Sequence, residues 1–165
     1  MSLVLVRIDD RLIHGQVVVG WAGVLHLDRI LLASDEVATV EWQRTIYMSA
    51  VPEELKASVL TLNDTLKALK SDEYKEERIL LLVDSPKSVL YLVKKGLDIS
   101  RVNVGGMHFK PGKNQVTPFI FVDQEDIEAF RKLRELNVEL EGRDVPNRTA
   151  VNIPKALGLE AEGVS

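Results

Sequence analysis

Leu3-Val4-Leu5-Val6-Arg7-Ile8-Asp9-Asp10-Arg11-Leu12-Ile13-His14-Gly15-Gln16 opens the chain with an apolar run that breaks into charge. The run Leu3–Ile8 reads as a buried strand, and Gly15–Leu25 reads as a helix. Between them, Arg7 to His14 holds two guanidinium groups, two carboxylates and one of the chain's three histidines. An open α/β sheet places its ligand at such a strand-to-helix junction. The stretch therefore predicts both an architecture and the place where chemistry occurs.

Further runs of the same kind follow at Arg29–Ala33, Ser58–Leu62, Arg78–Val83, Val102–Val104, Phe119–Val122 and Val138–Leu140. Ile79-Leu80-Leu81-Leu82-Val83 is continuously apolar, as a strand covered on both faces requires. Helical patterns lie between them at Asp35–Ser49, Asp64–Tyr74, Pro86–Lys95 and Gln124–Leu136. Ser85 before Pro86 is a strong helix start, Asn63 and Asp123 can cap their helices, and Gly96 after Lys94-Lys95 marks a helix end. The alternation predicts one doubly wound α/β domain over residues 1–165: a mostly parallel sheet of about seven strands with helices on both faces. The segment Gly105–Asn114 reads as a long loop or irregular hairpin, leaving Phe119–Val122 as an antiparallel strand at or near an edge. The small, acidic tail after about residue 157 is expected to fray.

The 165 residues suffice for one core, built on Leu, Val and Ile because only four Phe, three Tyr and two Trp are present. No cysteine is present, which excludes disulfides and thiolate chemistry and fits a cytoplasmic protein. The first strand follows Met1 at once, so no leader is expected. No apolar run approaches the roughly 20 residues needed to cross a bilayer. A net charge of -4 argues against a nucleic-acid partner. His14, His26 and His108 lack metal-ligand spacing, and Gly105-Gly106 lacks the spacing of a phosphate-cradling loop, so neither a metal nor a cofactor is expected.

His14 sits near a helix N-terminus, where free N–H groups favour an anion. A neutral imidazole is a nucleophile near neutral pH, and phosphorylation would make it a dianion in need of donors. Arg7 and Arg11 can each offer a fork of N–H groups to phosphate oxygens. Asp9 or Asp10 can hold one ring nitrogen protonated and leave the other free to attack. Gly15 would let a phosphoryl group approach the backbone. A histidine at a helix start is also commonly a plain loop residue, and Arg/Asp clusters often form surface ion pairs. The residues alone leave both readings open. Ser85, beside Asp84 on the same edge, is a second phosphate contact or a simple cap. His108 and Lys110 are loop residues that can reach this edge or meet a partner. His26 suits a helix C-terminus and receives no chemistry.

The stretch from Arg7 to Val17 closely resembles the active-site loop of the IIB domain of the mannose/fructose/sorbose family of the bacterial phosphotransferase system. The resemblance extends over nearly the whole chain, including Val104-Gly105-Gly106-Met107. It implies that His14 takes a phosphoryl group from a phosphohistidine on a IIA domain and passes it to a sugar imported by the IIC and IID membrane subunits. It further implies that Arg7 and Arg11 steady the phosphohistidine, that Asp9 and Asp10 are the loop acids, and that Gly15 and Gln16 complete the phosphate site. A dimer or larger assembly, docked peripherally at the membrane through its partners, is also expected. A non-catalytic domain that binds a phosphorylated metabolite is the alternative from another class; a nucleotide-binding enzyme ranks last.

Overall fold

The computed structural model describes residues 2–159, apart from the side chains of Ser2 and Gln16. Its organising element is the pair of central strands β4 (Arg78–Val83) and β1 (Ser2–Asp9), which lie side by side and parallel. Outward from them run β2 (Arg29–Ala33) and β3 (Lys56–Leu60) on one side. On the other lie β5 (Arg101–Gly106), β8 (Glu139–Gly142) and β9 (Val151–Asn152). The order is β3-β2-β4-β1-β5-β8-β9, with every pairing parallel except β8 with β9.

Side-chain alternation divides this sheet into two cores. Ile79, Leu81 and Val83 of β4 face one layer, together with Val6, Ile8, Leu31 and Ala33. Leu80 and Leu82 face the other, with Ile30 and Leu32. Helices α4 (Leu62–Lys70), α5 (Pro86–Lys94) and α6 (Gln124–Glu135) cover the first layer. A π-wound segment, Gln16–Trp21, continues into α1 (Ala22–Leu25) and covers the second with α2 (Asp35–Thr39) and α3 (Glu41–Ser49). The short α7 (Ile153–Ala156) packs on the first layer through Ile153, and Leu159 packs there at 3% exposure. The tail beyond it lies outside the described residues.

Several boundaries differ from the sequence expectation. The helix expected over Asp35–Ser49 breaks at Val40, whose backbone is extended. Thr39 Oγ1 bonds back to the carbonyls of Asp35 and Glu36 and ends α2 there. Thr61, not Asn63, caps α4, its Oγ1 accepting the Asp64 N–H at 3.1 Å. Ser85 and Asp123 cap as expected, and Gly96 takes the left-handed conformation after α5. The expected strand Phe119–Val122 does not join the main sheet. β7 (Ile120–Val122) pairs with β6 (Asn114–Thr117) in a separate antiparallel hairpin, tied by hydrogen bonds to Met107, the residue just past the interior strand β5. The hairpin forms because Thr117-Pro118 ends β6 within reach of Ile120, while Lys113 is anchored on Asp126 of α6. No helix among the described residues is long and apolar enough to cross a membrane.

The two-sided burial of β4 makes a direct test. Leu81→Ala should lower unfolding free energy by about 2–5 kcal/mol in urea titrations. A loss under about 0.5 kcal/mol, the scale of a surface substitution, would contradict burial on both faces.

Candidate active site

On β1, the positions facing the second core layer after Leu5 are Arg7 and Asp9. Alternation puts both side chains on one face, among residues that are otherwise apolar, and each is fully buried. Two opposite charges in such a place must satisfy each other. Arg7 Nη2 meets Asp9 Oδ2 at 3.1 Å and the Asp144 carbonyl at 2.9 Å, while Nη1 meets Asn103 Oδ1 at 2.5 Å and the Arg143 carbonyl at 2.9 Å. The guanidinium lies 5.2 Å from the centre of the Trp21 ring. Gly105 makes the slot possible: a Cβ there would fall 1.9 Å from Arg7 Cζ. Burial is the largest influence on Arg7 and pulls its pKa below the ordinary value, against the opposing pull of Asp9.

The Asp9 carboxylate accepts five hydrogen bonds. Oδ2 takes Arg7 Nη2, Arg11 Nη2 at 3.0 Å and His14 Nε2 at 2.9 Å; Oδ1 takes the Arg11 backbone N–H at 3.1 Å and Nε at 3.0 Å. Burial on its own would raise the pKa of this carboxyl. The hydrogen bonds from His14 and Arg11 and the charges of both arginines outweigh it, and Asp9 is held far below the usual carboxylate range. An ionised carboxylate can only accept, so the imidazole donates from Nε2. In the neutral ring, Nδ1 then carries the lone pair.

His14 is partly buried, its side chain 19% exposed, at the rim rather than in a deep pocket. Arg11 is 32% exposed, and its Nη1 has no protein partner among the described residues. Arg7 differs. Both of its terminal nitrogens are occupied by protein acceptors, and its Nε–H, without a partner among the described residues, is buried, so Arg7 works from inside the cluster rather than at the surface.

Asp10 turns away from His14. Its N–H donates to the Gly106 carbonyl at 3.1 Å, and its carboxylate accepts the His108 backbone N–H at 2.8 Å and meets His108 Nδ1. Leu12 follows in the left-handed region at φ 61°, unusual for a bulky side chain and worth about 1–3 kcal/mol of strain. Its burial in the second core layer and its N–H bond to the Asp9 carbonyl hold it there.

The remaining candidates scatter. A Cβ on Gly15 would meet nothing within 4 Å, so the space above it is open. The side chain of Gln16 lies outside the described residues. Ser85 caps α5 through the Ser88 N–H and lines a cleft of about 430 Å³ with Asp10, Leu12, Asp84 and Lys110. His14 does not line that cleft. His26 is the left-handed C-cap of α1, away from this loop.

The match to the PTS system sorbose subfamily IIB component spans residues 3–164. The chain belongs to this family of the phosphotransferase system. It is 39% identical over 153 residues to the sorbose-specific EIIB component of Klebsiella pneumoniae, covering 93% of each chain. It is also 39% identical to the fructose-specific EIIB component of Bacillus subtilis, over 95% of this chain and 96% of that one. The mannose-specific EIIAB component of Escherichia coli is 42% identical over 88% of this chain, which spans only 45% of that longer protein. Among solved structures, the IIBSor domain of the Klebsiella pneumoniae sorbose permease superposes with a TM-score of 0.91 at 38% identity, covering 96% of this chain and 97% of that one. A mostly parallel sheet with helices on both faces is thus the architecture of this IIB component and its relatives.

Sequence reasoning did not find the supports of Arg7. Asn103 is a polar residue inside an apolar run, and Gly105 was visible only as half of a Gly-Gly pair. The carbonyls of Arg143 and Asp144 carry no side-chain signal at all. One signal was available: charges two apart in a buried strand share a face and must pair.

Replacing Asp9 leaves Arg7 buried without its anion, so Asp9→Asn should cost about 3–5 kcal/mol at pH 7. A carboxyl whose folded pKa is depressed below its ordinary 3.8 contributes stability above that value and loses it as pH falls. The stability gap between wild type and Asp9→Asn, read by denaturant titration, should therefore narrow as pH drops from about 4 towards 2. A constant gap over that range would contradict the cluster's electrostatics.

Proposed function

We propose that this IIB component carries a phosphoryl group on Nδ1 of His14, taking it from a phosphohistidine of a IIA domain and delivering it to a sugar that enters through IIC and IID subunits. The observation that carries this reading is the 2.9 Å contact of His14 Nε2 with Asp9. It fixes the ring and leaves Nδ1 as the nitrogen with an available lone pair. Attack by Nδ1 forms the new N–P bond as the bond to the donor imidazole breaks. The ring gains positive charge while Nε2 keeps its proton, and the adjacent carboxylate offsets that charge. In delivery the N–P bond breaks as a sugar oxygen bonds to phosphorus; the hydroxyl proton passes to solvent, and the ring returns to its neutral form protonated at Nε2.

Exchange between two imidazoles is nearly balanced, so the protein contributes position and charge rather than driving force. Arg11, partly exposed with one terminal nitrogen uncommitted, is the side chain that meets the phosphoryl oxygens. Arg7 acts from beneath, holding Asp9 in place. The open space over Gly15 gives the transferred group room. A rim position lets two partners reach one nitrogen in turn.

Incubation with a phosphorylated IIA domain should place acid-labile, base-stable phosphate on wild type and none on His14→Ala; label persisting on His14→Ala would falsify the assignment. NMR of the labelled protein should show the Nδ1-linked isomer, and an Nε2-linked product would overturn the ring orientation. Arg11→Ala should slow transfer by about 10- to 1,000-fold, the scale for loss of an electrostatic donor. Unchanged transfer rates would remove Arg11 from the mechanism.

A further inference from the structure

We propose that Asp10 and His108 form a positioning pair that locks the active-site turn to the carboxyl end of β5, an inference that rests on phosphoryl transfer through His14. The two acids of the loop have separate tasks. Asp9 is consumed by Arg7, Arg11 and His14, whereas the hydrogen bonds of Asp10 go to the segment 106–108, which binds it at both ends. Its N–H reaches the Gly106 carbonyl, and its carboxylate takes both the backbone N–H and the ring Nδ1 of His108.

That segment is itself braced. The Met107 N–H donates to the Phe119 carbonyl, the Met107 carbonyl accepts from the Phe121 N–H, each at 2.9 Å, and the Phe109 and Phe121 rings meet edge to face at 5.8 Å. The β6–β7 hairpin thus backs the very residues that hold Asp10. On its other side Asp10 leads into the left-handed Leu12 and then His14, a turn with a tendency to relax unless both ends are fixed. Leu12 supplies one anchor through its buried side chain; the Asp10–His108 pair supplies the other. The pairing has a second effect. It turns a carboxylate away from the site of an incoming dianion and engages it with two donors, which lessens repulsion of the phosphoryl group.

His108 touches no reacting atom, so its loss should degrade placement rather than docking. His108→Ala should lower the saturating rate of transfer from a phosphorylated IIA domain by roughly 10- to 100-fold, the scale of a small misplacement. The half-saturating IIA concentration should stay unchanged. His108→Asn, which keeps a short N–H donor, should restore most of the rate. The His108 side chain is 57% exposed, so neither change opens the core. A His108→Ala rate within twofold of wild type, a loss confined to half-saturation, or no rescue by Asn would each overturn the pair. Absence of label on wild-type His14 would instead overturn the underlying reading of the site.

Discussion

A carboxylate that is fully buried and accepts five hydrogen bonds has almost no freedom to move, and the candidate site is arranged around that constraint. Asp9 sits where alternation in a two-sided sheet would place an aliphatic residue, so its charge is tolerable only because Arg7 fills the neighbouring position on the same face. Arg7 in turn requires the Gly105 slot, Asn103, two carbonyls of the 143–144 segment and the face of Trp21. Four separate parts of the chain thus converge to hold one anion. The consequence reaches the surface through two groups, the guanidinium of Arg11 and the imidazole of His14.

This layering reconciles rigidity with exchange. A phosphocarrier that gripped its phosphate with two buried arginines would bind it too firmly to release it. Here the buried arginine stabilises the carboxylate, the carboxylate orients the ring, and only the outer arginine remains at the rim. Under the proposed transfer, strong interactions fix geometry, and weaker, solvent-screened ones are left for the phosphoryl group. The sheet topology places this stack well: β1 lies at the centre, and the chain leaves its carboxyl end toward the second core layer, beside the turns that follow β4 and β5.

Much of this was legible from residue order. The continuous run Ile79–Val83 announced a strand buried on both faces, and Ser85-Pro86 and Asp123 marked helix starts that the structure reproduces. The loop motif singled out His14 and its charged neighbours. The division of labour among those neighbours was not legible, because Arg7 and Arg11 look alike in sequence and differ only in which face of the chain carries them inward. The same holds for Asp9 and Asp10, adjacent residues whose carboxylates point to different partners. The break at Val40, the capping by Thr61 and the hairpin of β6 with β7 depend on side-chain-to-backbone bonds and on contacts with distant elements that local patterning does not encode.

The central claim is that Asp9 fixes the ring of His14 through Nε2 and so leaves Nδ1 free. Nitrogen-15 NMR of the histidine side chains in the unphosphorylated protein, at a pH where the His14 ring is neutral, tests it most directly. The account predicts that His14 is held as the tautomer protonated at Nε2, with Nδ1 showing the shift of an unprotonated nitrogen, and that Asp9→Asn disturbs this preference. A His14 ring protonated at Nδ1, or a preference indifferent to the loss of the Asp9 charge, would contradict it.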